Sequence, residues 1–158
     1  MRDTRLAAVH IERRSVAIVV FAGTQLEHVQ IRHLSSDQST AEKTLLGFVR
    51  SVLDQFEIDR VALQELSPDA TTRTRGMHSV LTSSLREAAV SVWNVPQSEI
   101  MRAFGVPPLT SRSQLHQCVT QIWPSLKSLR NGRTVLGAAA IGLHFQTEHI
   151  LSLATQPE

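Results

Sequence analysis

Tyrosine is absent from this chain, aromatic residues make up only 4% of it, and there is a single cysteine, Cys118. So few aromatics argue against a base-stacking platform of the kind that grips single-stranded nucleic acid, so any nucleic acid would be held by its backbone. One cysteine closes no intramolecular disulfide, which makes a reducing, cytoplasmic setting the expectation. No stretch approaches the roughly 18 uninterrupted apolar residues of a membrane span. The seven glycines form no Gly-x-x-Gly or longer fingerprint, and the seven histidines show no His-Glu-x-x-His spacing, so neither a phosphate-cradling loop nor a helical zinc motif is expected. Acidic residues are missing altogether between positions 100 and 147, where Arg102, Arg112, Lys127, Arg130 and Arg133 stand. The C-terminal third is therefore basic although the formal net charge is only +2.

What is present is an ordinary globular composition, with 158 residues, 42% of them hydrophobic and 19% charged. That is one domain's worth of chain, assigned to residues 1–149 with a tail over 150–158. Arg13-Arg14-Ser15 followed by the apolar run Val16 to Ala22 imitates a twin-arginine signal. Asp3 and Glu12 in the would-be positive region, and the shortness of the run, favour a buried strand instead. Of the 16 basic residues 14 are arginine, whose planar fork suits phosphate.

Arg5 to Ile11, Ser15 to Ala22 and Gln25 to Leu34 are rich in Val, Ile and Ala and joined by tight polar connections, which predicts an antiparallel meander. Thr40 is the expected cap of a helix in which Leu45, Phe48, Val49, Val52, Leu53 and Phe56 recur at three- and four-residue steps. Val61-Ala62-Leu63 reads as a fourth strand, parallel to the first because a helix intervenes. Ser67 to Arg75 reads as a polar loop, Met77 to Ala89 as a helix and Val90 to Val95 as a fifth strand. Pro96 suits a first helical turn, and Ser111 caps a helix with Leu115, Cys118, Val119 and Ile122 on its apolar stripe, where Cys118 is a core cysteine. Pro124 ends or kinks that helix. Asn131-Gly132 turns into a last helix from Thr134 to about Phe145, Ala-rich and able to lie close to a sheet.

This order predicts an α/β fold with a mixed five-stranded sheet, three strands antiparallel and then two parallel, flanked by helices. It is the order of the ribonuclease H-like fold. Four segments carry a more specific likeness: Leu6-Ala7-Ala8-Val9-His10-Ile11-Glu12, Phe56 to Glu65, Thr110-Ser111-Arg112-Ser113-Gln114-Leu115, and Thr134 to His144. They resemble, in turn, the strand ending in Asp-Pro-Gly, the Asp-x-x-Ala-Ile-Glu segment, the Lys-x-Gln-Val helix start and the closing Asp-Ala-x-Asp-Ala-x-Ala helix of RuvC-type Holliday junction resolvases. The resemblance runs without large gaps from Leu6 to about His144.

It implies a fold, a DNA partner in recombination or repair, a homodimer formed around the second long helix, and two-metal phosphodiester hydrolysis on four carboxylates. The four acidic positions fall on His10, Gln64, Thr134 and Gly137. A one-residue slip brings Glu65 in place of Gln64, but strand alternation sends its side chain to the opposite face unless a bulge intervenes, and Glu12 is a second candidate to reach in from the hairpin. With no Asp or Glu between positions 100 and 147, the closing helix supplies no carboxylate to the site. A catalytically inactive RuvC-like protein is the leading expectation, with no metal, no small-molecule cofactor and no membrane partner, and with Mg²⁺ relevant only to residual nuclease activity. Arg112 stands in the place of the family's lysine, and Arg73, Arg75, Arg102, Lys127, Arg130 and Arg133 complete the expected nucleic-acid surface. His10 is expected to bond to Gln64 or Thr134 in an uncharged pocket. The alternatives are a protein-interaction or dimer module, and an active metal-dependent endonuclease whose non-standard site would need His10, Glu12, Glu65 and His144 to converge.

Overall fold

The computed structural model describes residues 5–23, 25–105, 107–128 and 132–154. Strands β1 (Arg5–Ile11), β2 (Ser15–Ala22) and β3 (Gln25–His33) form the meander, followed by helix α1 (Gln38–Phe56), β4 (Arg60–Gln64), α2 (Thr72–Glu87) and β5 (Ser91–Val95). Helices α3 (Gln97–Ala103) and α4 (Arg112–Ile122), a 3₁₀ turn (Pro124–Ser128) and the long α5 (Gly132–Ala154) complete the chain. The strand order is β3-β2-β1-β4-β5. β1 pairs antiparallel with β2, and β4 runs parallel to both β1 and β5. The expected mixed sheet is therefore the observed one.

Strand alternation builds two cores. Ala7, Val9, Val16, Ile18, Val20, Val61 and Leu63 face α1 and α2, whereas Leu6, Ala8, Ala17, Val19, Phe21 and Ala62 face α3, α4 and α5. Both faces of the central strands are covered, which is why they read as nearly unbroken apolar runs. α5 lies close against the sheet through Val135, Ala138, Ala139 and Ile141, all fully buried. Among the described residues, no helix is long and apolar enough to cross a membrane.

Several boundaries differ from the sequence reading, each for a local reason. The cap of α1 is Asp37, not Thr40; its carboxylate accepts from the Thr40 amide at 2.9 Å and from the Thr40 hydroxyl at 2.6 Å, so the helix begins at Gln38. Those bonds hold the Asp37 carboxyl below its ordinary value. The stretch read as a loop up to Arg75 is already helical from Thr72, with Thr71 as cap. Its first turn, Thr-Arg-Thr-Arg-Gly, has no apolar periodicity to reveal it. Ser111 caps α4 as expected, accepting from the Gln114 amide at 3.2 Å. Cys118 is only half-buried, its thiol directed at the Phe104 carbonyl 3.8 Å away. The last helix runs beyond Phe145 to Ala154.

Candidate nucleic-acid interface

Because β1 and β4 are parallel, their carboxyl ends emerge on the same edge of the sheet, the place where open α/β sheets gather functional groups. His10 is the last but one residue of β1 and Gln64 the last of β4. Both lie on the face covered by α5, whose second turn brings Gly137 against them. A small, enclosed cavity is lined there by His10, Glu12, Gln64, Gln97, Arg112 and Gly137, among others. It adjoins an open groove of about 470 Å³ walled by Arg13, Gln64, Glu65, Asp69, His78 and Arg112.

The floor is His10, 5% exposed. Its Nε2 stands 3.3 Å from Glu12 Oε1, across the start of the β1–β2 hairpin, and its Nδ1 is buried without a protein partner. The expected partners do something else. Thr134 turns away to the hairpin, where its hydroxyl pairs with that of Ser15 at 2.9 Å, and Gln64 lines the cavity without a bond to His10. The pocket is thus not uncharged, since Glu12 contributes a carboxylate to it. Glu65 lies beyond the end of β4, its amide donating to the Val95 carbonyl at 2.9 Å and its side chain exposed; no bulge brings it to the His10 side. His144 faces Glu99 at 3.6 Å in a separate groove beside Trp93 and Arg102. His10, Glu12, Glu65 and His144 therefore do not converge.

The structure also divides the basic residues. Arg112 opens α4 and lines both the cavity and the groove. Arg102 is exposed at the end of α3, on the Trp93 groove. Arg73 spends its guanidinium on the chain's own backbone at the surface, with Nε donating to the Arg13 carbonyl at 3.0 Å, Nη1 to the Ser36 carbonyl at 3.1 Å and Nη2 to the Ser35 carbonyl. Arg75 likewise donates to the carbonyls of Ala70 at 3.1 Å and Pro68 at 2.7 Å, tying down the 67–70 loop. Arg130 and the side chains of Lys127 and Arg133 lie outside the described residues. Sequence reasoning missed Arg13, Gln97 and His78; all three are polar residues that only the packing of separate elements brings to the rim.

His78 joins α2 to β5, its Nε2 3.2 Å from Asn94 Oδ1. Burial pushes its pKa below the ordinary 6.5, with the Asn94 bond pulling the other way. Below about pH 6.5 the unfolded chain therefore binds a proton that the folded chain refuses, so this contribution to stability falls with pH until the depressed value is passed. Urea unfolding between about pH 7 and 5 should show the wild type losing more stability than His78→Gln. Parallel curves would rule out the contribution.

A two-cation centre of the kind the resemblance implies needs several hard oxygen ligands around each ion. The residues here do not fit one. The cavity lining offers two imidazoles, two carboxamides, an arginine, a glycine and one carboxylate already engaged with His10, and the further carboxylates, Glu65 and Asp69, stand on the adjoining groove. Among the described residues no three of His, Cys, Asp and Glu are arranged to hold a metal ion.

No family model matches the chain, and no curated protein matches it. Solved structures do. RuvC from Thermus thermophilus superposes with a TM-score of 0.76 at 15% identity, over 94% of this chain and 96% of that one. The same protein in complex with a Holliday junction substrate gives 0.75 at 17% identity, covering 93% and 96%. The yeast mitochondrial Holliday junction resolvase gives 0.64 at 9% identity, covering 96% and 85%. The chain has the fold of these resolvases over nearly its whole length.

Proposed function

We propose that this protein is a RuvC-like DNA-binding protein that holds branched or duplex DNA through the face around Arg112 and does not cut it. The observation that carries the reading is the cleft itself. It occupies the edge where β1, β4 and α5 meet in a resolvase fold, keeps an arginine at its mouth, and has a donor set unsuited to paired divalent cations. Arg112 offers a phosphate a planar positive fork, and Arg13 lines the same groove. Glu12, Glu65 and Asp69 on the same walls keep the groove from being a uniformly basic funnel, so affinity rests on few phosphate contacts and salt dependence should be shallow. The outward positions of α2, including Arg75, Ser79, Ser83 and Arg86, are polar, so this helix offers no apolar stripe to a partner.

The test is an anisotropy titration of four-way junction, duplex and single-stranded DNA against salt, repeated with Mg²⁺ and Mn²⁺ while cleavage is followed on a gel. The expected result is junction binding with intact DNA. Arg112→Ala should weaken it and reduce the log–log salt slope by about one. No binding at physiological salt, or cut junction, would overturn the proposal. A protein-interaction role is the second reading, favoured by one observation: the exposed large apolar side chains among the described residues, Trp93 at 39% and Ile122 at 47%, lie on β5 and α4.

A further inference from the structure

The misfit between this cleft and a metal centre has a specific structural content. An ideal Cβ built on Gly137 would stand 2.9 Å from His10 Cδ2 and 3.1 Å from both Cγ and Nε2. The imidazole thus lies flat on the bare backbone of α5. Glycine inside a helix is unfavourable relative to alanine, and nothing in the backbone here requires it, because Gly137 has no positive φ. What requires it is the ring.

Two positions that the resemblance assigns to separate acids are therefore occupied by a single complementary pair, a ring on β1 and a missing side chain on α5. We propose that His10 is a positioning residue that takes over the mechanical part of a metal centre: stacked on Gly137 and bonded to Glu12, it fastens β1, the β1–β2 hairpin and α5 together with no cation. In a carboxylate cluster, divalent ions bridge strand and helix and offset the repulsion of the acids. Here packing and one polar contact do so. Three observations agree with this division of labour. His10 is almost wholly buried, as a packing residue is and as a solvent-facing acid–base group is not. Its Nδ1 has no protein partner, so the ring is held by shape and by Nε2 rather than by a full set of hydrogen bonds. Thr134, one turn before Gly137, repeats the device with a neutral hydroxyl pair to Ser15 on the same hairpin. The inference concerns how the cleft is built, and it stands whether or not DNA is what the cleft holds.

It also makes the two residues energetically inseparable. Gly137→Ala, which helix propensity alone would favour, must displace the imidazole; removing the imidazole first makes the same substitution harmless. The experiment is thermal unfolding of the full chain as wild type, Gly137→Ala, His10→Ala and the double variant, each in EDTA and again with millimolar Mg²⁺ or Mn²⁺. Gly137→Ala should lower Tm by about 5 °C in the wild-type background and raise it by about 2 °C in the His10→Ala background. The wild-type Tm should be the same in EDTA as with either cation, because an ion that bound the folded state would raise it. A nuclear Overhauser contact between His10 Hδ2 and Gly137 Hα in the wild-type protein, unchanged by Mg²⁺, gives a readout that needs no variant to fold. A stabilising Gly137→Ala in the wild type, additive single effects, a cation-dependent rise in Tm, or absence of that contact would each overturn the assignment.

Discussion

Gly142→Ala is expected to destabilise the protein by about 2–4 kcal/mol, opposite in sign to what helix propensity gives for an exposed glycine. Gly142 lies in α5 where the helix crosses the centre of the sheet. A Cβ there would collide first with Phe21 Cε2, and would stand 2.7 Å from Phe21 Cδ2 and 2.9 Å from Ala8 Cβ. Phe21 has no room to retreat: it is fully buried and sits edge-on to Trp123, ring centroids 5.8 Å apart. Relief must come from lifting α5 off β1 and β2, which loosens the whole second core. Urea denaturation measures the loss, and Phe21→Leu in the same chain should return part of it, so that the double variant is less unstable than the sum of the singles. A neutral or stabilising Gly142→Ala would mean that α5 does not approach the sheet this closely.

Arg73→Ala should cost about 2 kcal/mol of stability and leave the salt slope of DNA binding unchanged. Its guanidinium is a clip that joins three segments distant in sequence: the β1–β2 hairpin at Arg13, the entry to α1 at Ser35 and Ser36, and the first turn of α2. Removing it leaves three carbonyls without their charged donor. Arg73→Lys keeps the charge but has a single ammonium in place of a planar fork and cannot reach all three, so it should recover less than half of the loss. Arg112→Ala is expected to behave in the opposite manner, with little change in stability and a shallower salt slope. If Arg73→Ala instead weakens DNA binding while the fold keeps its stability, the clip assignment fails and the residue returns to the nucleic-acid surface.

These two arginines show where sequence reading stopped. Both are basic residues beside polar neighbours, and composition treats them alike. Only the fold shows that one is consumed by carbonyls of the chain and the other is left at the mouth of a cleft. The histidine at the floor follows the same pattern. Its place at the end of the first strand was legible, and so was the reach of Glu12 into the site from the hairpin; what was not legible is that Gln64 and Thr134, set beside it by topology, do not bond to it.

The sequence by itself determined the order of strands and helices, because unbroken apolar runs rich in Val, Ile and Ala and three-to-four spacing are local signals that the backbone obeys directly, the first turn of α2, which lacks that spacing, excepted. It also determined that the closing helix brings no acid to the cleft, since no acidic residue occurs between positions 100 and 147. The tertiary structure alone decided what each polar group spends itself on: Arg73 on backbone carbonyls, Thr134 on Ser15, and His10 on Glu12 and the bare face of Gly137. Such pairings depend on side-chain directions and on close separations, most of them between segments far apart in the chain, and a one-dimensional pattern carries no record of those distances.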